Sequence, residues 1–168
     1  MSRSQASLLG RYRDAVAACA VMNLRQATRV ITAFFDDELR STGLRATQLN
    51  ILMAVEVARP ATVSGLADIL AMDRTTLTRN LQLLRRRGLI EPGEIALTAR
   101  GRKAAATAMP HWERAQATVV RTLGEKRWSA ILHELAVTKA TVIRSRRARR
   151  RRGAPRGSAF DLRNGKIQ

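Results

Sequence analysis

Cysteine occurs once in these 168 residues, as Cys19. One thiol makes no intramolecular disulfide, which removes the small disulfide-stapled folds and favours a reducing, cytoplasmic compartment. Histidine occurs twice, as His111 and His133, 22 positions apart and with no second Cys, so no metal-ligand spacing is present. No metal and no cofactor is expected. Long apolar runs are missing too, for nothing approaches the roughly 18 residues that a membrane span needs. Val16-Ala17-Ala18-Cys19 mimics a lipoprotein cleavage box, but Arg11, Arg13 and Asp14 interrupt the apolar stretch of about 7 to 15 residues that should precede it. Neither membrane attachment nor export is expected. Acidic residues are also scarce, 13 Asp and Glu against 31 Lys and Arg, a formal charge of +18. Such a field concentrates polyanions, nucleic acid above all and an anionic membrane less readily. Asp36, Asp37 and Glu38 are adjacent acids on an exposed helical segment; neighbours on a helix face different ways and make no general acid and base pair. Ser64-Gly65 lacks the setting of a nucleophile elbow. Nothing in the sequence points to an enzyme.

What the chain does have is enough apolar residues, 45% of the total, to bury one core. Charge is unevenly spread, with residues 139–168 holding 11 bases and one acid, about +10, and the rest about +8. Residues 1–22 read as an arm or short helix. Leu24, Ala27, Ile31, Phe34, Phe35 and Leu39 recur at three and four, predicting a long amphipathic helix to Gly43. Thr47 is the expected N-cap of the next helix, which carries Leu49, Leu52 and Met53 until Pro60 forbids extension.

Two short helices follow, Ser64 to Leu70 and Asp73 to Arg87, joined by little more than Ala71-Met72. That link suits the bend of a helix-turn-helix. Asp73 is the expected N-cap. Leu77, Leu81 and Leu84 share one face of the second helix, and Thr75, Arg79, Gln82 and Arg86 share the other. Leu89-Ile90-Glu91 and Glu94-Ile95-Ala96-Leu97 flank Pro92-Gly93 as a small hairpin. Thr98 caps a helix with an apolar seam through Ala105, Met109, Trp112, Ala115, Val119 and Leu123, in which Pro110 predicts a kink or a break. After Gly124 a last helix presents Trp128, Ile131, Leu132, Leu135, Val142 and Ile143. From Arg144 to Arg152 seven of nine residues are Arg, and residues 144–168 read as a basic, disordered tail that binds phosphate backbones without choosing a sequence.

Leu66-Ala67-Asp68-Ile69-Leu70-Ala71-Met72-Asp73-Arg74-Thr75-Thr76-Leu77-Thr78-Arg79-Asn80-Leu81, then Leu84-Arg85-Arg86-Arg87-Gly88-Leu89-Ile90, resembles the recognition helix and closing turn of the MarR (multiple antibiotic resistance regulator) family. Leu97-Thr98-Ala99-Arg100-Gly101 resembles the motif that ends that family's wing, and Gly43-Leu44-Arg45-Ala46-Thr47-Gln48-Leu49 the start of its second helix. The resemblance implies a mainly α, winged helix-turn-helix fold with long N- and C-terminal dimerisation helices and a short β-hairpin wing. Residues 23–138 are then the family-like domain, with a DNA-binding lobe at about 45–100 and dimerisation helices at 23–42 and 99–143. It further implies a homodimeric regulator, released from a pseudo-palindromic operator in double-stranded DNA by a small molecule or an oxidant. A non-specific, architectural nucleic-acid-binding protein driven by the Arg-rich tail is the alternative.

The residues expected to meet DNA are Ser64, Arg74, Thr75, Thr76, Thr78, Arg79, Gln82, Arg86, Arg100 and Arg102. Thr75, Thr76, Thr78 and Arg79 lie in the first turns of a helix, at the positive end of its dipole, which suits a major groove. Arg79 has the reach for a bidentate contact to guanine, and the threonines suit phosphates or thymine methyl groups. Arg100 and Arg102 suit phosphates, or serve as solvated charge. Wings of the family usually carry an Asp-x-Arg whose Arg enters the minor groove; Pro92-Gly93-Glu94 has none, so no minor-groove residue is assigned. Cys19 is a possible redox sensor by resemblance, although its neighbours Ala17, Ala18, Ala20 and Val21 are apolar and favour an inert thiol. Phe34, Phe35, Met53 and Trp112 are either core or the wall of a pocket for a small aromatic or phenolic effector.

Overall fold

Leucine burial organises the molecule. In a computed structural model describing residues 3–151, Leu39, Leu49, Leu52, Leu66, Leu77, Leu81 and Leu84 are all but withdrawn from water. They belong to α2 (Ala20–Leu39), α3 (Ala46–Ala58), α4 (Val63–Leu70) and α5 (Arg74–Arg86). Before these comes α1 (Arg3–Ala18); after them come α6 (Ala99–Leu123) and α7 (Glu125–Arg151). The chain divides into two compact units, one ending at Thr118 and the other starting at Val119 within α6.

In the first unit α3 packs on both α2 and α4, and α4 on α5. A helix with neighbours on several sides must be apolar around most of its circumference. Accordingly Ala46, Leu49, Ile51, Leu52 and Val55 are all buried. The expected cap at Thr47 is not found, since the helix starts two residues earlier than that cap implies and Arg45 is its extended N-cap. The acceptors come from elsewhere: Ala46 N donates to Asp36 Oδ1 at 2.7 Å and Arg45 N to Gln48 Oε1 at 3.1 Å. Asp36 is therefore no solvated acid. Its other oxygen lies 3.0 Å from Arg45 Nη1, and its side chain is 17% exposed.

Residues 3–18, expected as an arm or short helix, form a full helix of 16 residues. Leu8, Tyr12 and Val16 recur at four on it and stay about half exposed. Asn23 Nδ2 donates to Ala17 O at 3.1 Å and to Cys19 O at 2.9 Å, linking α1 to α2. Pro110 does not break α6. Pro110 and Ala106 are both exposed, so water can satisfy the Ala106 carbonyl that the proline leaves without an N–H donor. Helix α7 runs on through Arg144 to Arg151, because Arg and Ala are good helix formers. The tail expected to be disordered from 144 thus begins as helix; residues 152–168, including the final sixteen, lie outside the described residues.

The wing is smaller than its two expected strands. Among the described residues it reduces to one antiparallel bridge, Ile90 to Leu97, flanked by Glu91 N to Ala96 O at 2.9 Å and Thr98 N to Leu89 O at 3.2 Å. The next ladder bond would run from Ala96 N to the Glu91 carbonyl, which accepts from Arg85 Nε at 3.1 Å instead, while Arg85 Nη2 reaches the Glu94 carbonyl at 3.3 Å. Thr98 caps α6 as expected, accepting from Gly101 N at 2.9 Å. A Cβ at Gly101 would run into the Leu89 carbonyl oxygen, whereas one at Gly10 in α1 would meet nothing within 4 Å.

Opposite outcomes are therefore expected from one substitution at two sites. Gly101→Ala should lower stability by about 1–3 kcal/mol through overpacking, and Gly10→Ala should raise it by about 0.5–1 kcal/mol. Thermal or urea unfolding of the two variants checks both.

Candidate nucleic-acid interface

Helices α4 and α5 meet through a tight turn. Thr62 caps α4 by accepting from Gly65 N at 3.1 Å. Ala71 ends that helix in the left-handed region, at φ 51°. Asp73 then caps α5, Oδ1 accepting from Thr76 N at 2.8 Å. Hydrogen bonds from the Thr76 side chain first, and from its backbone second, hold the Asp73 carboxyl below its ordinary value of 3.8.

Rotation of α5 about its axis is fixed by Leu77, Leu81 and Leu84, which are 0%, 1% and 0% exposed. The opposite face is left outward. Arg74, Thr75, Thr76, Thr78, Arg79, Gln82 and Arg86 are all exposed. Five of them, Arg74, Thr75, Thr78, Arg79 and Gln82, line one shallow depression of about 370 Å³. Thr76 is outside that lining, its backbone N–H used by the cap. Ser64 is half-buried as the second residue of α4. Arg74 stands in the first turn at the positive helix end, where the Asp73 carboxylate of the N-cap offsets it.

The remaining basic residues divide. Arg100 is exposed at the start of α6. Arg102 is engaged within the fold, Nη1 donating to Leu97 O at 2.9 Å and lying 3.8 Å from Glu56 Oε2. Two arginines absent from the sequence-based set also have structural partners. Arg85 donates to Glu91 O at 3.1 Å and Glu94 O at 3.3 Å; Arg87 donates to Gln48 Oε1 at 3.1 Å and Gly43 O at 3.0 Å. Their only signal in the sequence is position, one residue either side of the outward-facing Arg86.

Of the suggested effector-pocket residues, Phe35 is buried, its ring edge-on to Phe34 at 6.0 Å and tilted against Trp112 at 6.4 Å. Met53 is half-buried on α3. The three aromatic rings form a packed cluster. A cavity of about 640 Å³ lies elsewhere, between the end of α3, the loop Arg59 to Thr62 and the wing. His111 Nδ1 sits 3.0 Å from Glu38 O, between α6 and α2. Cys19 is half-buried at the α1–α2 junction. Among the described residues no three His, Cys, Asp or Glu side chains gather as metal ligands, and no helix is long and apolar enough to cross a membrane.

A tight helix pair with a polar, basic second helix, followed by a short β wing, defines a winged helix-turn-helix protein. Residues 42–101 match the model of the MarR family. The structure is similar to that of the M. tuberculosis transcriptional regulator MosR, at 34% identity and TM-score 0.69 over 76% of this chain and 97% of that one. MosR in complex with DNA matches at 33% identity and TM-score 0.67, over 76% and 98%. The transcriptional repressor CouR bound to p-coumaroyl-CoA shares the fold at 22% identity and TM-score 0.68, over 75% and 95%. No curated protein sequence matches the chain. The chain belongs to the MarR family. It is a DNA-binding transcriptional regulator and not an enzyme.

Because the Asp73 carboxyl is held low, its cap contributes stability above about pH 3.8, the ordinary value, and loses it as pH falls through the depressed value. The deficit of Asp73→Ala against wild type should be constant from neutral pH down to about pH 5 and shrink below the ordinary carboxylate range. Unfolding midpoints of both proteins across that range measure it.

Proposed function

We propose that this regulator is a cytoplasmic, homodimeric repressor that places α5 of each protomer in the major groove of a pseudo-palindromic operator. The observation that carries this reading is the outward face Arg74, Thr75, Thr78, Arg79 and Gln82, opposite three buried leucines. Arg79 reads a base edge and the threonines position the helix; Arg86 and Arg100 neutralise phosphates. Ser64, Thr76 and Arg102 lie at the margin, Arg102 with its charge already engaged. The α7 extension to Arg151 adds backbone affinity without sequence choice. A dimer over a promoter blocks polymerase, and a signal that favours another spacing of the two lobes releases it by population shift. CouR holding an aromatic acyl thioester supports a small aromatic effector; Cys19 offers the alternative of an oxidative signal.

Two arms of one binding experiment test operator reading. Arg79→Ala should weaken operator binding by about 1–3 kcal/mol while scarcely changing binding to random DNA. Deleting 144–168 should weaken both DNAs and flatten the salt dependence by several units, at about 0.9 per phosphate. Equal losses on both DNAs from Arg79→Ala would defeat base reading.

Dimerisation is supported by apolar side chains left near half exposed on the terminal helices: Leu24 45% and Ile31 43% on α2, and Ile131 38%, Leu132 48% and Leu135 44% on α7. Such surface is normally covered by a partner. Two-fold symmetry then sets half-sites about 10 base pairs apart. Leu132→Ala with Leu135→Ala should dissociate or unfold the dimer at micromolar concentration, each side chain being worth about 2–5 kcal/mol once buried. Light scattering that finds a wild-type monomer still discriminating its operator would contradict this assembly.

A further inference from the structure

The triplet Arg85-Arg86-Arg87 closes the recognition helix, and on charge alone all three suit phosphates. Their surroundings differ. Arg86 is exposed, whereas Arg85 and Arg87 are half-buried, each with two guanidinium nitrogens engaged. Arg85 Nε and Nη2 reach the carbonyls of Glu91 and Glu94, on either side of the wing turn. Arg87 Nη1 reaches Gln48 Oε1 and Nη2 reaches Gly43 O, 39 and 44 residues away.

We infer that Arg85 and Arg87 are positioning residues that hold α5 at the angle required for base reading, one against the wing and one against the α2–α3 corner, while Arg86 alone of the triplet is free for DNA. This rests on the operator reading above. Gln48 is the chain's one buried polar residue among those described, 8% exposed. Its Oε1 accepts from both Arg45 N and Arg87 Nη1. Asp36, on α2, caps the same corner through Ala46 N and pairs with Arg45. A hydrogen-bonded path therefore runs from α2 through the start of α3 to the end of α5. Two bonds from one planar guanidinium fix direction as well as distance, which a lysine cannot reproduce.

Charge and geometry are separable by experiment. The probes are an operator selected in vitro with the full-length wild type and a random duplex of equal length. Arg87→Lys and Arg85→Lys keep the charge and lose the fork; each should lower the ratio of operator to random affinity by about 3- to 30-fold, the range for residues acting through a neighbour. Arg87→Ala should lower the same ratio with an unchanged salt slope, whereas Arg86→Ala should flatten the slope by about 0.9, one phosphate. Gln48→Glu keeps the acceptor and should keep the ratio. Affinities refer to folded protein, quantified by its unfolding signal, so lost stability does not register as lost discrimination. Lysine variants equal to wild type, or a slope flattened by Arg87→Ala with the ratio intact, would overturn the assignment. A wild type that discriminates no sequence defeats the operator reading itself, and the assignment with it.

Discussion

The burial of Leu77, Leu81 and Leu84 is the constraint from which the outward chemistry of α5 follows. Three leucines removed from water contribute about 1.5–3 kcal/mol each. Arg74, the one base in the first turn, opposes the helix dipole by about 0.3–1 kcal/mol, which the Asp73 carboxylate at the N-cap offsets. Burial outweighs it and sets the helix's rotation, leaving Arg74 and Arg79 outward. That outward charge belongs to a chain whose +18 field concentrates polyanions.

Around that helix, structure is held by pieces of chain far apart in sequence. Asp36 caps α3 from ten residues away, Arg87 returns to Gly43 and Gln48, and Arg85 holds a wing too short to hold itself by a ladder. The result is an α5 anchored at its start by Asp73, along its length by leucines and at its end by the guanidinium groups of Arg85 and Arg87.

Local and periodic features were legible in the sequence, and features made by distant partners were not. Spacing placed Leu77, Leu81 and Leu84 inside and Arg79 and Gln82 outside. Asp73 and Thr98 cap as their positions indicate, because an N-cap bonds within three residues. Thr47 misled since its competitor, Asp36, arrives from another helix. Asp36 itself read as a solvated acid for the same reason. The α1 stripe Leu8, Tyr12 and Val16 was present but sparse among Ser and Arg. Pro110 left a kink and a break both open because its cost depends on exposure, which the sequence does not state; the helix runs through it unbroken. In Arg85-Arg86-Arg87 the middle residue alone keeps the expected freedom, and no spacing rule tells a phosphate contact from a grip on a carbonyl.

Gly101 has a mechanical consequence. Where α6 passes Leu89, backbone lies against backbone with no side chain between. Side chains absorb small displacements by changing rotamer; main chains in contact cannot. The joint between α6 and the first arm of the wing therefore has no play, like a gear pair cut without clearance. Any slide of α6 toward Leu89 meets main chain at once, so the two segments resist closer approach at this joint.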